Sequence, residues 1–544
     1  MNRPLNKQTF IQGTLILLAA GIVNRMLGFI PRIALPRIIG AEGVGLYQLG
    51  YPFFLVLVTL ISGGLPLAIA KLVAEAESAG REEDSARILK TGMTISVGLG
   101  IVFSAIGLAG SSWVSTRLLT DSRVYYTFIA MIPMLSIIAV SSVYRGYFQG
   151  KQNMIPSAVS SVMETLVRIV FMLWFSWLLI PKGLAFGAAG AMLGVAVGEL
   201  AGMAILLWQY SRFRSAASKP QVPAGSSGAL SEDLSLPGHP ETDKEAQTES
   251  AAPRSLIRRL IGISVPVTAG RLIGSFSYLL ESVITARSLA LAGIATAAAT
   301  AQYGSLQGMV IPLLLLPGAL TSSLAVSLVP SLSEAAARQD MDSVHKRMHQ
   351  ALRLALVTGA PFVVLMYVLA DPLCTLMYGN AATAPMLRLM APFALFLYVQ
   401  APLQAALQAM DKAGRALVNT LVGAVVKIAL IILLASQPEY GIYGAIIAII
   451  VNGVLVTVLH GWSTVRTIKL RLRPSDLLKT LTAMIIMAAG VKYMYASLPF
   501  AGTQWLQFVL ASGAGTALYT GIGLLGGLFS LRDFERLPLF RRRR

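Results

Sequence analysis

Residues 13–50 read GTLILLAAGIVNRMLGFIPRIALPRIIGAEGVGLYQLG, and this stretch decides the class of fold. It opens as an apolar run long enough to cross a bilayer, which takes about 20 apolar residues. It then sets two cations, Arg25 and Arg32, inside or at the edge of that run. Seven residues are two helical turns, so on a continuous helix both project from nearly one face. A charge in hydrocarbon costs about 2.5–3.5 kcal/mol on the lenient insertion scale, so such residues face a bundle interior or a water-filled cavity. Two of them on one face of a first spanning helix predict a cavity that meets an anion. For Arg32, close to the far edge of the bilayer, snorkelling to headgroups is the competing reading.

The rest of the chain has the same character. Of 544 residues, 55% are hydrophobic and 13% charged, with mean hydropathy +0.69; a soluble domain carries about 25% charged residues. The expectation is an all-α polytopic membrane protein. About fourteen spans are predicted, near 10–33, 46–70, 92–114, 124–146, 157–180, 184–209, 257–285, 301–330, 351–370, 384–410, 416–435, 441–464, 478–498 and 504–530. The net charge of +19 does not point to nucleic acid, because the cations sit in short loops between apolar runs, where membrane topology accounts for them. One set of alternate loops holds Lys71, Arg81, Arg87, Lys90, Arg145, Lys151, Lys412 and Arg415 and the terminal arginines 541–544. That bias predicts a multi-pass protein of the cell membrane with both termini cytoplasmic. The single cysteine, Cys374, excludes an intrachain disulfide and a cysteine metal cluster. The first apolar run is too long for a cleavable signal.

Residues 211–255 break the pattern. They are rich in Ser, Pro, Gly and acids and cannot bury enough surface to fold, so a flexible cytosolic linker is predicted there. The division exposes a repeat at a constant offset of 259 residues. Gln48 meets Gln307, Glu75 meets Glu334, Gln149 meets Gln408 and Arg168 meets Lys427. Each unit has six spans, an even number, so the two run the same way and are related by an axis along the membrane normal. The expected organisation is an N-lobe at 1–210, the linker at 211–255, a C-lobe at 256–466, and two trailing helices with a basic tail at 467–544. The cavity is expected between the lobes.

The candidate binding residues are Arg25, Arg32 and Arg271, the last in PVTAGRLIGSF early in the second lobe, with Gln48 and Gln307 as hydrogen-bonding groups for sugar hydroxyls or as packing glue. Glu164 and Arg168 stand four apart in the favourable order for a helix pair. Glu199 and Glu281 are buried acids suited either to ion coupling or to structural ion pairing. There is no GxxxxGK[ST] loop, no GxSxG elbow and no metal-ligand spacing, so the chain is not expected to be an enzyme. No cofactor is expected, and an ion gradient or the membrane potential is left as the energy source.

Several stretches together carry a family resemblance: GTLILLAAGIVNRMLGFIPR, GAEGVGLYQLGYP, GGLPLAIAKLVAEA, YRGYFQGKQNMIPSA with METLVRI, and QYGSLQGMVIPLLLLP. They resemble the stage V sporulation protein B group, in the polysaccharide-transport branch of the multidrug/oligosaccharidyl-lipid/polysaccharide flippase superfamily. The resemblance implies fourteen spans, a V-shaped cavity between two lobes, and alternating access. It implies export of an undecaprenyl-pyrophosphate-linked cell-wall precursor, lipid II for spore cortex peptidoglycan first among them. Membrane lipids and cell-wall synthases are the implied partners, nucleic acid is not, and a monomer is expected. Related lipid II flippases carry arginines matching Arg25 and Arg32, and a further one in span two, where this chain has YPFFLVLVTLISGG and none. A flippase for another lipid-linked glycan or teichoic unit, a multidrug–cation antiporter and a non-transporting scaffold stand as alternatives. A first helix bearing arginines and no acid argues against cationic drugs.

Overall fold

The computed structural model describes residues 10–217, 253–470, 474–497 and 503–528, and these are helical with no strand among them. Helices α1 (Phe10–Leu27) and α2 (Phe29–Ser62) are followed by α3 (Leu65–Ser78), α4 (Glu82–Trp113), α5 (Val124–Gly150), α6 (Ile155–Leu179) and α7 (Leu184–Ala217). The second half contains α8 (Pro253–Leu291), α9 (Thr296–Gly304), α10 (Ile311–Leu315), α11 (Gly318–Ala337), α12 (Met341–Val368), α13 (Ala370–Tyr378), α14 (Ala384–Met390), α15 (Ala394–Ala409), α16 (Ala413–Leu430) and α17 (Ile442–Ile468). Two more, α18 (Pro474–Ser497) and α19 (Gln504–Leu525), trail behind. Helix occupies both ends of the stretch read as a linker, through Ala217 and from Pro253; residues 218–252 and the terminal arginines lie outside the described residues.

Twelve helical segments are long and apolar enough to span a membrane, and the first of them covers 64 residues, Leu15–Ser78. At about 1.5 Å per residue, that length is roughly three times a hydrocarbon core of about 30 Å. It divides at Gly40, whose φ of 67° is the left-handed conformation that glycine adopts without steric cost. A further pass runs through α9 to α11, broken by a π-helical turn at Ser305–Val310 and by Pro312 and Pro317. The first segment counted as two passes, together with this broken stretch, is consistent with the fourteen expected.

The repeat is visible in the backbone. At the 259-residue offset, the end of α3 at Ser78 falls on the end of α11 at Ala337, the start of α4 at Glu82 on the start of α12 at Met341, and the end of α5 at Gly150 on the end of α15 at Ala409. The left-handed turn residues obey the same offset: Gly80 (φ 71°) matches Gln339 (φ 58°), and Gln152 (φ 56°) matches Asp411 (φ 56°). All of these turns lie at the end of the bundle that carries the basic loops, called here the basic end.

The halves meet through two repeat-related glycines. A Cβ on Gly45 would lie 2.0 Å from the Thr300 carbonyl oxygen, and one on Gly304 would lie 2.1 Å from the Ala41 carbonyl oxygen. Thr300 and Ala41 are themselves 259 apart, so this crossing of α2 and α9 is two-fold in character. Apolar side chains of the first half, such as Leu46, Phe128, Met131 and Met192, cluster on one side of it. Leu306, Met309, Leu387 and Tyr398 cluster on the other. The trailing helices pack on α12, where Tyr519 donates a hydrogen bond to the Val357 carbonyl (3.0 Å).

Because backbone cannot yield as a side chain tip does, Gly45→Ala is expected to destabilise the protein by about 1–3 kcal/mol through overpacking. Gly21→Ala, where nothing lies within 4 Å, is expected to be neutral. Thermal midpoints in detergent check this, and equal midpoints for the two variants would show that the crossing is not tight.

Candidate functional site

A cavity of about 550 Å³ lies between the halves. It is lined by α2 with Arg32, Tyr47, Gln48 and Tyr51, by α6 with Arg168, by α7 with Glu199, by α8 with Tyr278, and by the π-helical turn with Gln307. Gln48 and Gln307 come one turn after Gly45 and Gly304, which is why the close glycine crossing delivers both into the same space. Gly308 keeps it open: a Cβ there would lie 2.2 Å from Val44 Cγ1 and 3.6 Å from Gln48 Nε2.

The expected binding residues are therefore only partly gathered. Arg32, Gln48 and Gln307 line the cavity, and so do Arg168 and Glu199. Arg25 and Arg271 are exposed and are not among its lining residues. Arg25 and Arg32 do not both reach the cavity from one face: Arg25 is exposed on α1, and Arg32, just past the junction of α1 and α2 at Gly28, lines it. Upstream of that junction, α1 packs on α6, with Asn24 Nδ2 donating to Ser161 Oγ (2.6 Å). Arg271, read as a counterpart of the first-lobe arginines, is in register with Gln12.

Each half holds its charges differently. In the first, the Glu164 carboxylate accepts from Arg145 (2.6 Å) and from Arg168 on its own helix (3.3 Å). The expected intrahelical pair is present, but the closer partner comes from α5. Glu199 stands against this cluster, within reach of the fields of Glu164, Arg145 and Arg168. In the second half, Glu281 on α8 is buried; it accepts from Gln307 Nε2 (2.9 Å) and forms an ion pair with Lys427 of α16. Lys427 is the residue that the repeat aligns with Arg168, which was the available signal for it. The tyrosines of the cavity had no such signal.

Both ends of the cavity are bridged. At the basic end, Gly64 abuts the Ser264 carbonyl, Thr59 and Ser275 share a buried hydrogen bond (2.8 Å), and Arg259 pairs with Glu75 (2.7 Å). At the opposite end, Thr300 donates to Asp121 (2.8 Å), Arg287 donates to the Arg117 carbonyl (2.6 Å), and Arg37 reaches the Leu376 and Met377 carbonyls. Burial raises the affinity of the Asp121 carboxyl for a proton, but hydrogen bonds from Arg123 and Thr300 outweigh it and hold the group below the usual carboxylate range. It is charged at neutral pH, and Arg123 ties it to Glu42 (2.6 Å). The symmetry is imperfect, since α8 leans onto α2 and α3 whereas its counterpart α1 stays on α6.

Among solved structures, the fold is similar to one titled lipid II flippase MurJ, inward closed conformation, with TM-score 0.66 and 14% identity over 96% of this chain and 100% of that one. It is also similar to an inward-facing multidrug resistance MATE family transporter of the MOP superfamily, with TM-score 0.63 and 14% identity over 84% of this chain and 98% of that one. Parallel bundles of spanning helices around a polar cavity thus define a membrane protein of MATE-like fold. Sequence comparison narrows this: the chain belongs to the polysaccharide biosynthesis protein family, which matches residues 10–336, and the MatE family matches residues 274–433. The chain is 38% identical to stage V sporulation protein B of Bacillus subtilis over 98% of this chain and 99% of that protein. It is 25% identical to the lipid II flippase MurJ of the same organism over 98% of each.

Removing Lys427 alone strands a buried carboxylate. Lys427→Ala is expected to cost about 3–5 kcal/mol, whereas the Lys427→Met, Glu281→Leu double variant is expected to recover most of that loss. Thermal denaturation in detergent reads both; equal destabilisation of the two would show that the pair is not coupled.

Proposed function

We propose that this protein is a flippase, not an enzyme. In this reading it carries an undecaprenyl-pyrophosphate-linked cell-wall precursor from the inner to the outer leaflet by alternating access, with lipid II for cortex peptidoglycan as the leading cargo. The observation that carries the reading is the cavity itself, in which two guanidiniums, Arg32 and Arg168, face a space shared with two glutamines. A planar guanidinium pairs its fork with phosphate oxygens, which suits it to a pyrophosphate better than an ammonium. Gln48, Gln307 and the tyrosines are groups that hydrogen-bond or stack on sugar. A disaccharide with a peptide stem is larger than about 550 Å³, so the head is taken in only when the basic end parts.

The basic end is placed in the cytoplasm, with both termini, by the loop bias. The side on which α1 stays with α6 is the natural path for a polyprenyl tail that remains in lipid. A phosphate arriving at Arg168 competes with Glu164 for the guanidinium, which links cargo binding to the acid cluster that includes Glu199. Each negative charge carried outward across an inside-negative membrane gains about 2.3 kcal/mol per 100 mV, so the membrane potential favours export without a nucleotide. The lack of an arginine in the span-two stretch YPFFLVLVTLISGG favours comparing lipid II with a second undecaprenyl-linked glycan.

The test is transport of labelled lipid II in liposomes holding the purified protein. Arg32→Ala and Arg168→Ala are each expected to lower the rate at least tenfold, the weight of a lost charge-assisted hydrogen bond. Undiminished transport by both would remove the anion site, and transport only of the second glycan would reassign the cargo.

A further inference from the structure

A second basic site lies outside the interlobe cavity, on the flank of the second half. A groove of about 660 Å³ runs between the first turns of α16 and the last turns of α17, at the basic end. Arg415 of α16 and Arg466 of α17 stand on its two walls, and Trp462 stands beside them with 65% of its surface exposed. No carboxylate lines it. The neighbouring Asp411 is outnumbered by Lys412 and Lys469. The N-terminal turn of α16 opens on the same space through Gly414, so the positive end of the helix dipole adds a partial charge. The floor is fixed, since the Asn419 amide is held by Ser463 Oγ (3.0 Å) and His460 Nδ1 (3.2 Å).

Below the arginines the character changes. Val418, Val422 and Val425 continue down one face of α16, with 57%, 43% and 61% of their surfaces exposed. From Arg415 to Val425 is ten residues, about 15 Å of helix, or one leaflet of a hydrocarbon core about 30 Å thick. Cations at headgroup level, an indole at the interface and an apolar track one leaflet long are the features of a whole lipid molecule.

We propose that this groove binds an anionic phospholipid of the leaflet at the basic end, its phosphate clamped between Arg415 and Arg466 and one acyl chain laid along Val418, Val422 and Val425. Two guanidiniums on different helices hold the phosphate as a bridge, so the lipid staples α16 to α17.

Native mass spectrometry of the full chain, released from nanodiscs of equal phosphatidylglycerol and phosphatidylcholine, tests this. The wild type is expected to retain one phosphatidylglycerol in preference to phosphatidylcholine. At about 1 kcal/mol per cation near a lipid surface, Arg415→Gln or Arg466→Gln lowers that occupancy constant about fivefold and the double variant about thirtyfold. The Arg415→Lys, Arg466→Lys variant keeps the charge but loses the fork, and falls between. Lys90→Gln, at the same end of the first half, leaves retention unchanged. Wild-type retention by the double glutamine variant, or equal retention of phosphatidylcholine, would overturn the proposal. So would selective retention of undecaprenyl phosphate in its place, which would assign the groove to a polyprenyl carrier.

Discussion

The structure depends on a place where no side chain fits. Gly45 and Gly304 bring the backbones of α2 and α9 so close that a single methyl on either would meet a carbonyl oxygen at about 2 Å. In a membrane, where lipid tails compete for every apolar surface, small residues are what allow two helices to approach and gain dispersion energy. The two contacts are copies of one another at the repeat offset. This crossing therefore does three things at once: it marks the pseudo-two-fold axis, closes one end of the bundle, and places Gln48 and Gln307 one turn further on in the cavity. The hydrogen bonds around it, Thr300 to Asp121 and Arg287 to the Arg117 carbonyl, are contacts that can be exchanged for water at that end without leaving a buried polar group unsatisfied.

Within this symmetric frame the charges are deliberately unlike. The first half holds a shared carboxylate between two arginines, with Glu199 beside them at the cavity wall. The second half locks the buried acid Glu281 between Gln307 and Lys427. A guanidinium that shares its carboxylate with a neighbour is available to another anion; an ammonium closed onto a buried carboxylate is not. In the proposed cycle the first half is the side that meets cargo, while in the second half the Glu281–Lys427 pair joins α8 to α16. The lean of α8 onto α2 and α3, with α1 left against α6, leaves the assembly asymmetric about its own axis.

Much of this was legible in the sequence, for reasons that differ by residue. The twelve candidate spans follow from apolar length, and the repeat follows from polar residues, such as Gln48 and Gln307, recurring at one offset in otherwise interchangeable apolar text. The break at Gly28 did not show. Gly28 reads like any glycine in a spanning helix, yet α1 meets α2 there, and of the two arginines placed on one face by their two-turn spacing only Arg32 lines the cavity. Gly40, by contrast, turns the chain inside the gap expected between the spans at 10–33 and 46–70. The partner of Glu281 lies 146 residues away, and nothing in local spacing connects the two; only the alignment of Arg168 with Lys427 hinted that a cation belonged at that site. Arg145 as the nearer partner of Glu164 is likewise a tertiary fact, set by how α5 and α6 pack.

The central claim is that cargo leaves through the end sealed by the glycine crossing, so that end has to open once per cycle. A disulfide tests it directly. In a Cys374→Ser background, cysteines at 121 and 300 replace side chains whose oxygens are 2.8 Å apart across the seal. The account predicts that oxidation stops lipid II transport in liposomes and that a reductant restores it in the same preparation. Transport by the oxidised, cross-linked protein at the rate of the reduced one would contradict it.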